Sequence, residues 1–108
     1  MATQQDVAFI NTTITSSATA LSIYDLLVAA GFTPTSGCVA LTVTVDQNTY
    51  WGNVSTVTNS TGVLRLANAV FSDSATGAGG NLIPIGHMFI YQSAGPIANA
   101  VIYARFLP

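Results

Sequence analysis

The sequence predicts an all-β domain: an antiparallel β-sandwich or jelly-roll-like barrel with one short helix. Three observations predict it. Short apolar or alternating runs are separated by turn residues every ~8–12 positions, giving about seven to nine strands. Only residues 22–30 show apolar positions at helical spacing. Half of the residues are hydrophobic, which excludes disorder by composition. A chain of 108 residues holds one compact domain with its own core but not two. We therefore read 1–108 as a single β domain, with residues 1–6 as a polar N-terminal arm.

The elements follow in order. Val7–Ile14 alternates loosely, with Phe9, Ile10 and Ile14 among Thr and Asn, and reads as a strand. At residues 22–30, Ser22 and Asp25 form a capping-box pattern, and Ile23, Leu26, Leu27 and Ala30 fall on one helical face. Gly31 follows where a helix exits through positive φ. So short a helix needs tertiary contact, and its apolar face is expected to plug one end of the sandwich. Residues 32–37 form a loop marked by Pro34 and Gly37. Cys38–Val45 alternates most cleanly, with Val39, Leu41, Val43 and Val45 on one face and Cys38, Ala40, Thr42 and Thr44 on the other. A turn at 46–48 leads to a strand at 49–51 ending near Gly52, and residues 54–58 read as a weaker strand. A turn at 59–62, a strand at 63–66 and a short strand at 69–71 come next. Residues 72–81 lack periodicity and read as the longest loop. Within 82–92, Pro84 and Gly86 place the entry at an edge or bulge, and 88–91 is the strand itself. After a turn at 93–96, residues 99–106 close the domain, with Val101, Tyr103 and Arg105 opposite Ile102, Ala104 and Phe106.

Charge narrows the function classes. Charged residues make up 6% of the chain, against about 25% in ordinary soluble domains. There is no Lys and no Glu; the set is Asp6, Asp25, Asp46, Asp73, Arg65 and Arg105. The polar surface must come from Thr, Ser, Asn and Gln, and such a surface associates readily because little charge is desolvated when it is covered. A net charge of -2 with two arginines argues against nucleic acid, which demands a basic stripe. The mean hydropathy is +0.54, yet the early apolar stretch at 18–32 contains Asp25 and is too short to span a bilayer. Residues 1–6 carry no basic group, so no secretory signal and no membrane partner are expected.

Catalytic chemistry finds few candidates. His87 is the only histidine, so a histidine-rich metal site is impossible, and no metal or cofactor is expected. No Gly-x-Ser-x-Gly elbow occurs, and without Glu or Lys the supply of general acids and bases is nearly empty. Asp46 and Asp73 fall in turns, where backbone chemistry alone favours Asp. Gly77-Ala78-Gly79-Gly80 lacks the Lys of a phosphate-binding loop. Cys38 is the only cysteine; it opens an apolar run and reads as a buried, inert thiol. The expectation is a protein that is not an enzyme.

The order of signals resembles small structural proteins of tailed-bacteriophage virions, in particular capsid decoration or cement proteins. The residues carrying the likeness are Leu21-Ser22-Ile23-Tyr24-Asp25-Leu26-Leu27, the strand Val39–Val45, Thr49-Tyr50-Trp51-Gly52 and Asn59-Ser60-Thr61-Gly62-Val63-Leu64. Leu82-Ile83-Pro84-Ile85-Gly86 and the closing Ile102-Tyr103-Ala104-Arg105-Phe106 complete it. The resemblance implies a β-sandwich subunit, often trimeric, seated on an icosahedral shell and binding the major capsid protein or other virion proteins. A virion location, with assembly in the host cytoplasm, follows from it. A tail, neck or fibre component and a small carbohydrate-binding module are the alternatives. Candidate interface residues are Tyr50 and Trp51, an adjacent pair whose rings point to opposite faces of a strand, together with Arg65, His87 and Arg105. Because Gly52 follows Trp51, Trp51 is expected at the rim and Tyr50 in the core.

Overall fold

Among the described residues, eight strands and one α-helix follow each other: β1 (Val7–Ile14), β2 (Leu21–Ser22), α1 (Ile23–Ala29), β3 (Cys38–Val45), β4 (Thr49–Gly52), β5 (Val63–Arg65), β6 (Val70–Ser74), β7 (Phe89–Tyr91) and β8 (Ala98–Phe106), with a 3-10 turn at Ile85–His87 before β7. The structure is a computed structural model that describes residues 7–14, 19–75, 82–92 and 97–107. The arm at 1–6, the glycine run at 77–80 and the turn at 93–96 lie outside the described residues.

The strands form two antiparallel four-stranded sheets, in the orders β1-β8-β3-β6 and β2-β7-β4-β5. The pairings β1 with β8, β2 with β7, β3 with β6 and β4 with β5 are nested, like one long hairpin. Rolling that hairpin over brings β8 beside β3 and β7 beside β4. This is the jelly-roll arrangement of an all-β sandwich.

Alternation fills the core from both sheets. β8 buries Ala98, Ala100, Ile102, Ala104 and Phe106 and turns the residues between them outward. Leu41, Val43 and Val45 of β3, Ile14 of β1 and Ile90 of β7 join them. The helix contributes Ile23, Leu26 and Leu27, all essentially inaccessible. Its capping box is complete: Asp25 N donates to Ser22 Oγ at 3.0 Å, and Ser22 N donates to Asp25 Oδ2 at 3.2 Å. Gly31 stands at φ +96°, the left-handed exit that favours glycine. Ala30, expected on the apolar face, is instead the exposed C-cap residue.

Several sequence expectations need correction. In β3 the register shifts between Cys38 and Ala40. This bulge puts Cys38 on the core side with Leu41 and Val43, not on the opposite face. Residues 54–58 are no strand. Val57 N donates to Val54 O, and Gly62 N to Thr58 O, so the segment closes on itself in turns. The region expected to start a loop at 72 remains strand through Ser74, because β6 pairs with β3 from Val70 to Ser74. β2, which is two residues long, has no period of its own to betray it.

Candidate functional site

The candidate residues divide among four places, the first three set by strand alternation and the last, His87, by the 3-10 turn before β7. On β4, Thr49 is buried and Trp51, two residues on, packs against the core, so Tyr50 and Gly52 face away from it. The expected assignment is therefore reversed: Trp51 points inward and Tyr50 outward, both half-buried. Trp51 Nε1 donates to Thr49 Oγ1 at 2.9 Å. The Trp51 ring lies 5.2 Å from that of Phe71 on β6, bridging the two sheets. Arg65 of β5 lies over both rings, its guanidinium carbon 5.3 Å from Trp51 and 5.4 Å from Phe71, and it donates to Val70 O at 3.2 Å. Cation–π contact and the carbonyl bond thus tie β5 to β6 and close that side of the sandwich.

Tyr50 sits on the outer face of the second sheet, opposite Tyr91 and Leu64. The 53–62 segment folds over this face. A Cβ at Gly52 would stand 2.6 Å from Val57, and one at Gly62 would stand 2.8 Å from Tyr50 and 2.9 Å from Val57. Only glycine allows this approach, and it leaves Val57 buried.

The outer face of the first sheet has no such cover among the described residues. Its rows run Val7–Arg105–Ala40–Ser74, Phe9–Tyr103–Thr42–Ser72 and Asn11–Val101–Thr44–Val70 across β1, β8, β3 and β6. Arg105 is the one charged side chain in these rows. Phe9 is 78% exposed, and Val70 and Val101 are more than half exposed. The Phe9 and Tyr103 rings meet at 4.7 Å. Sequence reasoning placed Arg105 and Tyr103 on this face but did not single out Phe9. The signal was present in the alternation of β1, where Ala8 and Ile14 share the buried side and Phe9 falls opposite.

His87 is exposed and stands apart from the other candidates. With Tyr24, Pro34, Leu82, Pro84 and Gly86 it lines an open groove of roughly 520 Å³ beside α1. Cys38 touches the floor of this groove but is buried. Burial pushes its thiol pKa up, and its Sγ donates to Ala40 O at 3.3 Å; the burial expected from the sequence is observed. Among the described residues, no group of three or more His, Cys, Asp and Glu could hold a metal ion, and no helix is long and apolar enough to cross a membrane.

No protein-family model, curated protein or solved structure matches this chain. Jelly rolls serve as viral capsid subunits and as lectin domains alike, so a function must be argued from the surfaces and not from the fold.

Proposed function

We propose that this chain is a structural subunit of a virion, a decoration or cement protein that works through protein–protein contact with its own copies, as a homotrimer, and with a shell protein. The observation that carries the reading is the outer face of the first sheet. It is a broad β surface of Phe, Tyr, Val, Thr, Ser and Asn with the single charge of Arg105. Covering such a face desolvates almost no charge, and the exposed Phe9 ring, with the half-buried Tyr103 ring beside it, offers an interface anchor. The jelly-roll topology, an architecture of viral capsid subunits, supports the virion setting. The carbohydrate-binding alternative is left with the half-buried Tyr50 alone, because the Trp51 ring is engaged with Phe71 and Arg65. A tail or neck component would use the same surfaces. The test is co-sedimentation of the purified chain with emptied phage shells: saturable binding is expected, and a chain left in the supernatant by every shell, yet retained on a glycan array, would overturn the reading.

A further inference from the structure

The two sheets end in four edge strands, and they are unequal. β2 has two residues, β5 three and β6 five, while β1 has eight. Proteins blunt long edges with Lys, Pro, a bulge or an inward charge, since an open row of N–H and C=O groups templates another strand. β1 has none of these. Val-Ala-Phe-Ile-Asn-Thr-Thr-Ile carries no charge, no Pro and no Gly, and its register with β8 runs unbroken from Val7 to Ile14. Among the described residues β1 bonds through its backbone to β8 alone.

We infer that β1 is a pairing edge for β1 of a second copy of this chain, antiparallel across a two-fold axis. This rests on the self-association proposed above and names a contact distinct from any three-fold one. Charge points to a copy as the occupant. An uncharged strand gives a charged partner nothing to pair with, whereas two copies of it bring no like charges together. The rings point the same way. Phe9 is flanked by Tyr103 on the β8 side and lies open on the other. Pairing must set outward residues 7, 9, 11 and 13 against outward residues of the copy. One register doing so places Ile10 opposite Ile10, Phe9 opposite Asn11 and Val7 opposite Thr13. The two Phe9 residues are then diagonal neighbours, roughly 7–8 Å apart and within reach of each other's rings. The 4.7 Å Phe9–Tyr103 contact becomes half of a four-ring run across the axis, and the sheets join into one of eight strands.

The test is light scattering together with amide hydrogen exchange as the concentration is raised. The expected result is a doubling of mass, from whatever unit exists when dilute, with new protection of residues 7–14 in step. Phe9→Lys and, separately, Asn11→Lys should each weaken the doubling at least ~30-fold, with melting temperatures near that of the wild type because both side chains are exposed. A mass that never doubles, doubling without protection of β1, or doubling that survives both substitutions overturns the inference. A wild-type chain that doubles yet binds no shell removes the virion reading and leaves this junction. One that binds shells and never doubles does the reverse.

Discussion

Replacing Trp51 with Ala separates a side chain that holds the sandwich shut from one that holds two subunits together. The Trp51 ring packs between the sheets against Phe71 and under Arg65. Truncating a buried Trp costs about 3–5 kcal/mol; Trp51 is half-buried, so the lower end applies. The substitution also removes the donor to Thr49 Oγ1, a hydroxyl on a residue only 1% exposed, and takes from Arg65 and Phe71 one of the two aromatic contacts each makes in this cluster. The sum is about 3 kcal/mol, which at roughly 4 °C per kcal/mol lowers the melting temperature by about 12 °C. Trp51→Phe keeps the ring stack and loses only the hydrogen bond, so it should cost about 1–2 kcal/mol. Chemical denaturation followed by far-ultraviolet circular dichroism reads both values. A Trp51→Ala protein that melts within 3 °C of the wild type, to order of magnitude, while losing its self-association would refute the sheet-closing role and restore Trp51 as an interface anchor.

Three further outcomes follow from the same geometry. Gly62→Ala should destabilise the protein by about 1–3 kcal/mol, since its methyl would meet Tyr50 Cβ, Val57 and Thr58 O, and increased exchange of the 53–62 amides would locate the damage. Cys38 should resist a thiol reagent at neutral pH and react at the rate of global unfolding, because burial raises its pKa; rapid labelling of the folded protein would contradict its placement. Asp46 accepts from Asn99 N at 2.7 Å and from Asn99 Nδ2 at 3.1 Å, and these bonds, the backbone one first, hold its carboxyl below the ordinary carboxylate range. A depressed folded pKa contributes stability that is present above the unfolded pKa and lost as pH falls through the folded one. Asp46→Asn should therefore flatten the acid limb of the stability profile, and an unchanged acid limb would show that the Asn99 bonds do not form.

Much of the fold was legible because its signals are local. The Ser22/Asp25 capping box, Gly31 after the helix and the alternation of β1, β3 and β8 each occupy one short window. The parts that misled depend on partners distant in sequence. The Cys38 bulge is visible only when β8 is laid beside β3. Val57 looked like a strand residue because its apolar character is used against Gly52, Gly62 and Tyr50, which no period records. The Tyr50–Trp51 pair was correctly split between faces, but which face is inner is decided by Phe71 and Arg65 across the sandwich. For the candidate surface, composition announced the shortage of charge, while the contact of the exposed Phe9 ring with the half-buried Tyr103 ring appeared only once β1 and β8 were paired.

The proposed role requires this chain to assemble through uncharged surface. The measurement that meets this claim most directly is the mass of the purified protein by light scattering at micromolar concentration, repeated from low to molar salt. Salt screens charges, and the three rows of the first sheet's outer face that run through Val7, Phe9 and Asn11 carry the single charge of Arg105. The predicted result is a multiple of the 11.1 kDa chain that persists at every salt concentration. A particle of 11.1 kDa throughout, or an assembly that molar salt dissolves, would contradict it.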